Sequence, residues 1–138
     1  MARILGIDYG TKRVGLAVTD PLQIIATGLD TVHSMDLFTF IKNYIKTEEV
    51  EGIVIGMPKN LNNEATHSTP HVVGVVRKLK KEFPDINITE VDERFTSKLA
   101  FKTMIESGIS KKKRAEKGTI DKVSATIILQ SYLEKNSL

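Results

Sequence analysis

Apolar and polar positions along this chain switch between a strand-like and a helix-like rhythm. Residues 3–8 read as a short buried strand with an apolar run from Ile4 to Ile7 before Asp8, Tyr9-Gly10-Thr11-Lys12 reads as a turn, and Arg13 to Thr19 reads as a second strand, apolar from Val14 to Val18. Two apolar runs joined by so short a link predict an antiparallel hairpin. Asp20-Pro21 punctuates a loop, and Ile24 to Thr31 predicts a third strand. Ser34 is placed to cap a helix in which Leu37, Phe38, Ile41, Tyr44 and Ile45 recur at helical spacing. Gly52-Ile53-Val54-Ile55-Gly56 is continuously apolar, the pattern of a central strand covered on both faces.

A polar loop over residues 57–63 precedes a helix with Val72, Val75, Val76, Leu79 and Phe83 on one stripe. Thr69-Pro70 suits its start, with a start near Asn63 as the alternative, and Pro84-Asp85 stops it. Ile86 to Val91 predicts a fifth strand ending in Asp92-Glu93-Arg94. Thr96 can cap a helix to Ser107 with Gly108 behind it, and a last helix runs from near Thr119 to about Lys135. The order β-β-β-α-β-α-β-α-α predicts an α/β fold, a mixed five-stranded sheet flanked by helices. No repeat or linker divides the chain, so residues 1–138 read as a single domain.

Composition narrows the chemistry. With 41% hydrophobic and 27% charged residues the chain is of ordinary globular type. It has no apolar run long enough to cross a bilayer and no secretion leader after Met1, which predicts no membrane partner. Cysteine is absent, which removes disulfides, thiolate metal sites and cysteine nucleophiles and fits a cytoplasmic location. His33, His67 and His71 do not form the HExxH spacing of a zinc hydrolase. A net charge of +3 tilts the expected partner toward a polyanion.

Three acidic positions stand out: Asp8 at the end of the first strand, Asp92-Glu93 at the end of the fifth, and Asp121 in the first turn of the last helix. Asp121 shares a helical face with Ala125, Ile128 and Tyr132, which points it at the sheet. A carboxylate at a buried strand end needs a metal, a phosphate-linked metal or a cation such as Lys12 or Arg13. Converging carboxylates suit hard divalent cations, and a pair of magnesium ions can serve phosphodiester cleavage. Each acid also has a plainer reading, as a turn residue, a surface ion pair or a favourable charge at a helix N-terminus. Alternation groups Asp92 with Ile86 and Ile88, and Glu93 with Val91, without saying which group faces a site.

Lys12 and Arg13 behind the glycine turn are candidate phosphate contacts. Gly56-Met57-Pro58 would end on the same edge as Asp8 if the two strands are parallel neighbours, so the Asn60–Glu64 loop can line the site. Lys111, Lys112, Lys113 and Arg114, with Lys117, form a basic loop suited to clamping nucleic acid. Arg77, Lys78, Lys80 and Lys81 read as a solvated helix face, and Tyr9 as a rim aromatic able to stack on a base.

Four segments in order, Gly6-Ile7-Asp8-Tyr9-Gly10-Thr11-Lys12-Arg13-Val14-Gly15, Gly56-Met57-Pro58, Asp92-Glu93-Arg94-Phe95-Thr96 and Lys117-Gly118-Thr119-Ile120-Asp121, resemble the YqgF family of Holliday-junction resolvases, also described as pre-16S ribosomal RNA nucleases. The resemblance spans nearly the whole chain and implies a ribonuclease H-like fold and a metal-dependent nuclease site. By position that site comprises Asp8, the acid of the Asp92-Glu93 pair, taken as Glu93 with Asp92 as the alternative, and Asp121 as catalytic metal ligands, with magnesium or manganese, two ions, as cofactor. Lys12, Arg13, Arg94 and Lys111 to Arg114 are the implied phosphate and nucleic-acid contacts. The Asn62-Asn63-Glu64-Ala65 turn lacks a glycine expected of the family, and Met57 stands where leucine is usual.

The resulting expectation is a hydrolase, a magnesium-dependent endonuclease of structured RNA or branched DNA. Within that class the resemblance implies 5′-end processing of pre-16S rRNA, with ribosomal precursor particles as partners, or else junction resolution. Either a monomer or a homodimer is compatible. Two other classes remain: a non-catalytic nucleic-acid-binding module of ribosome assembly, and a nucleotide-phosphate loop of the actin-like ATPase kind at Asp8-Tyr9-Gly10-Thr11.

Overall fold

The computed structural model describes residues 2–57, 69–92 and 117–136. Among these residues lie five strands: β1 (Arg3–Tyr9), β2 (Arg13–Thr19), β3 (Ala26–His33), β4 (Val50–Met57) and β5 (Asn87–Asp92). The α-helices among them are α1 (Leu37–Thr47), α2 (Thr69–Glu82) and α3 (Lys117–Asn136). The sheet has the order β3-β2-β1-β4-β5. The hairpin β1–β2 and the pair β2–β3 are antiparallel, whereas β1, β4 and β5 run parallel. The helix expected over Thr96–Ser107, the Asn60–Glu64 loop and the basic run Lys111–Arg114 fall outside the described residues.

Alternation along each strand sorts side chains onto two faces. Leu5, Ile7, Val14, Leu16, Ile53 and Ile55 lie on one, packed with Leu37 and Ile41 of α1 and Val72, Val76 and Leu79 of α2. Ile4, Ala17 and Val54 lie on the other, against Ala125, Ile128, Leu129 and Leu133 of α3. The molecule is therefore layered as α1 and α2, sheet, then α3, and the continuous apolar run of β4 has a helix layer on both sides. The face under α3 is lined by small residues. A β-carbon at Gly6 would stand 2.9 Å from Cβ of Leu129, so the helix lies directly on the strand backbone.

Several boundaries shift by a residue or two from the sequence expectation, and three differences have a clear physical cause or consequence. β3 begins at Ala26 because Asp20 holds the preceding residues as a loop: its carboxylate accepts the backbone N–H groups of Leu22 (3.1 Å), Ile24 (2.8 Å) and Ile25 (2.8 Å). Gln23 takes a left-handed φ of 59° inside that loop. Ser34 does not cap α1, since a short 3-10 turn (Ser34–Asp36) intervenes and His33 caps it by accepting Met35 N–H at Nδ1. α3 starts at Lys117, which puts Asp121 fifth in the helix rather than in its first turn. The helix-dipole explanation of Asp121 weakens accordingly, because that effect is confined to the first turn. Among the described residues no helix is long and apolar enough to cross a membrane.

Candidate active site

Asp8 sits one residue from the end of β1, and its parity with Ile4 and Gly6 assigns it to the α3 face. Its ladder partner on β2 is Gly15. A β-carbon at Gly15 would stand 1.9 Å from the carbonyl oxygen of Asp121 and 3.0 Å from its Cβ. The missing side chain is what lets α3 descend there, and it sets Asp121 beside the strand position opposite Asp8. The side chain of Asp121 is only 19% exposed.

Arg13, the first residue of β2, shares the parity of Gly15 and Ala17 and reaches the same face. Its Nε donates to Oδ2 of Asp121 at 2.8 Å. Arg13 is thus a counter-ion of Asp121 across 108 positions of sequence. Asp8, Tyr9, Gly10, Thr11, Lys12, Arg13 and Asp121 together line a cavity of about 260 Å³. The turn that forms its rim is tied down from outside: Ser34 Oγ donates to the carbonyl of Thr11 at 2.6 Å, and Ser34 N–H to that of Lys12 at 3.2 Å.

The parallel strands bring their carboxyl ends to this edge. Ile7 pairs with Ile55 and Gly56 with Val91, so Asp8, Gly56 and Val91 stand at one level of the sheet. Ligands of open α/β sheets gather at such an edge. Val91 packs toward α3, as does Asp8, whereas Ile88 belongs to the opposite core. Glu93, Arg94 and Lys111 to Arg114 lie outside the described residues, and of Asp92 the backbone pairing with Met57 is described. Arg77, Lys78, Lys80 and Lys81 are exposed on α2, with Lys78 Nζ 4.3 Å from the Phe38 ring centroid. Tyr9 is half-buried, packing on the core below while lining the cavity.

Of the residues expected at the site, Asp8, Lys12, Arg13 and Asp121 share one cavity. Gly15 and Ser34 were not foreseen in their roles. Gly15 had a sequence signal, a glycine inside an apolar strand, which marks close backbone approach. Ser34 had none, because its partner lies in another loop.

No three of the described His, Asp and Glu side chains form a metal-binding group. The two carboxylates in the cavity nonetheless suit a hard divalent cation by donor type, and Asp121 already draws a cationic group onto one oxygen.

Strand order, mixed polarity and acids at the strand edge define a ribonuclease H-like α/β domain. The family model described as "RuvX: Holliday junction resolvase" matches residues 2–135, and the chain belongs to that family. Membership classes it with the nucleases, which are hydrolases, in a metal-dependent superfamily. It is 54% identical to a protein named "Putative pre-16S rRNA nuclease" from Bacteroides fragilis, over the full length of both chains. A protein of the same name from Flavobacterium johnsoniae is 53% identical, covering 96% of each chain. Among solved structures, T. thermophilus RuvC in complex with Holliday junction substrate aligns over 99% of this chain and 98% of its own, with a TM-score of 0.59. At 13% identity that likeness concerns the fold.

Proposed function

We propose that the protein is an endonuclease that hydrolyses phosphodiester bonds of structured RNA in maturing the 5′ end of 16S rRNA, acting in the cytoplasm on ribosomal precursor particles. One observation carries the chemistry: two acids from distant parts of the chain, Asp8 and Asp121, line a single cavity with Lys12 and Arg13. The RNA substrate is supported by the name shared by relatives that match this chain over nearly its whole length.

Asp8 and Asp121 are the proposed ligands, with Glu93 as the third. Along the sequence Glu93 alternates with Val91, which packs on the α3 side, and this pattern supports choosing it over Asp92. Magnesium or manganese held there, as two ions, would supply Lewis-acid polarisation of the phosphoryl group and activation of water. The chain's own residues do the rest. Lys12 and Arg13 neutralise the charge that grows on the phosphoryl oxygens. Ser34 fixes the turn that carries Lys12. Arg94 and Lys111, Lys112, Lys113 and Arg114 hold the flanking backbone in a salt-dependent, sequence-independent way.

A second substrate, branched DNA, is favoured by the family description and by the fold shared with a junction-bound enzyme. Cleavage of a structured RNA precursor and of a four-way DNA junction, each with magnesium or EDTA, separates the two. Magnesium-dependent RNA cleavage that falls by about 100-fold or more in both Asp8→Asn and Asp121→Asn is the expected result, since metal polarisation contributes several kcal/mol. Tight RNA binding with no cleavage under any metal would instead identify a non-catalytic assembly module.

A further inference from the structure

The Arg13–Asp121 ion pair lies within the cavity where the metal is proposed to bind, and the two cations compete for one carboxylate. We propose that Arg13 is an exchangeable counter-ion, which neutralises Asp121 in the metal-free protein and is displaced when a divalent cation takes that carboxylate. This assignment rests on reading Asp121 as a metal ligand.

The two partners differ in freedom. Asp121 is mostly buried, and its backbone presses on Gly15, so the carboxylate cannot withdraw from the cavity. A partly desolvated carboxylate so placed requires a cation. Arg13 is 43% exposed and stands at the first position of its strand, with its backbone held in register with His33. Its side chain can therefore leave while the strand stays in place. The charges around the pair oppose double occupancy. Lys12 and Arg13 already balance the two carboxylates, Asp8 and Asp121, that line the cavity, so a metal ion arriving beside an undisplaced guanidinium would leave a space of about 260 Å³ with net positive charge. Arginine cannot relieve that repulsion by losing its proton. The remaining route is movement of the side chain.

A purely structural clamp gives a different expectation. If Arg13 only anchored α3 to β2, its removal would loosen Asp121 and leave metal affinity unchanged or weaker. If it competes with the metal, its removal tightens metal binding.

The test is calorimetric titration of the full-length protein with manganese chloride, comparing wild type, Arg13→Gln, Arg13→Lys and Asp121→Asn, with folding of each checked by circular dichroism. Asp121→Asn should bind manganese at least about 10-fold more weakly. Arg13→Gln should bind at least about threefold more tightly than wild type, and Arg13→Lys, which keeps the competing charge, should lie between them. A second readout needs no variant to fold beyond the one used for assignment: in ¹⁵N-labelled wild type, the Nε–Hε resonance of Arg13 should shift as magnesium is added. Weakened binding in Asp121→Asn together with unchanged or weaker binding in Arg13→Gln, or an unmoved Arg13 resonance, overturns the exchange and leaves the metal site standing. Undiminished binding in Asp121→Asn overturns both.

Discussion

The carbonyl oxygen of Asp121 rests where the β-carbon of any other residue at position 15 would be, 1.9 Å from the ideal Cβ position of Gly15. Helix and strand backbones meet at that point, and the meeting places the acid of α3 beside the ladder partner of Asp8. The geometry of the candidate site depends on a side chain being absent.

Gly15→Ala should therefore be costly twice over. The obstacle is backbone, which cannot rotate away, so α3 must shift; overpacking of this kind costs about 1–3 kcal/mol. Urea unfolding should show that loss, and nuclease activity should fall further than stability because Asp121 moves with the helix. Gly28→Ala is the control, since its nearest neighbours lie at 3.5 Å, an ordinary contact. Equal tolerance of the two alanines would disprove the close approach.

Thr19 is fully buried, and its Oγ1 accepts the backbone N–H of Ile4 at 2.9 Å, where the β1–β4 register shifts. Thr19→Val keeps the shape and strands that donor. The expected loss is about 1–3 kcal/mol in urea unfolding, with Thr19→Ser close to wild type.

Acid should loosen the 20–25 loop. Hydrogen bonds from the backbone of Ile25, and next those of Ile24 and Leu22, outweigh desolvation and hold the Asp20 carboxyl below its usual range. A depressed folded pKa gives stability that is complete above the unfolded value of about 3.9 and is lost as pH falls through the folded value. The difference in urea midpoint between wild type and Asp20→Asn should be steady at neutral pH and close on acidification in that window. A difference independent of pH would show that the ionised carboxylate is not what holds the loop.

Replacing Lys111, Lys112, Lys113 and Arg114 with glutamine tests the proposed clamp on nucleic acid. Each lost phosphate contact should flatten the plot of log affinity against log salt by about 0.7–0.9, so the quadruple variant should lose up to about 3.6 in slope. An unchanged slope would remove this segment from the nucleic-acid surface.

Much was legible in local pattern. The run from Ile4 to Asp8, the turn and the run from Arg13 to Thr19 gave a hairpin because two apolar segments with a four-residue polar break have few alternatives. The stripe of Ala125 and Ile128 correctly turned Asp121 toward the sheet. β3 starts later than the pattern predicts because Ile24 and Ile25 look like strand residues, yet the Asp20 carboxylate captures their N–H groups. Both isoleucines end up exposed, against their hydropathy. The Ser34 cap fails for a related reason: a hydroxyl suited to a helix start donates instead to the carbonyl of Thr11.

The chain by itself determined which segments are strands and helices, and it marked Asp8 and Asp121 as acids out of place on apolar elements. Periodicity and turn chemistry act within a few residues, so a linear reading contains them. Tertiary structure alone decided that Asp8, Val91 and Asp121 belong to one side of the sheet, and that Arg13 answers an acid 108 positions away. Those choices follow from strand register and from the depth to which α3 can sink over Gly6 and Gly15. Both are properties of packed backbones, and they come into being when the sheet is assembled.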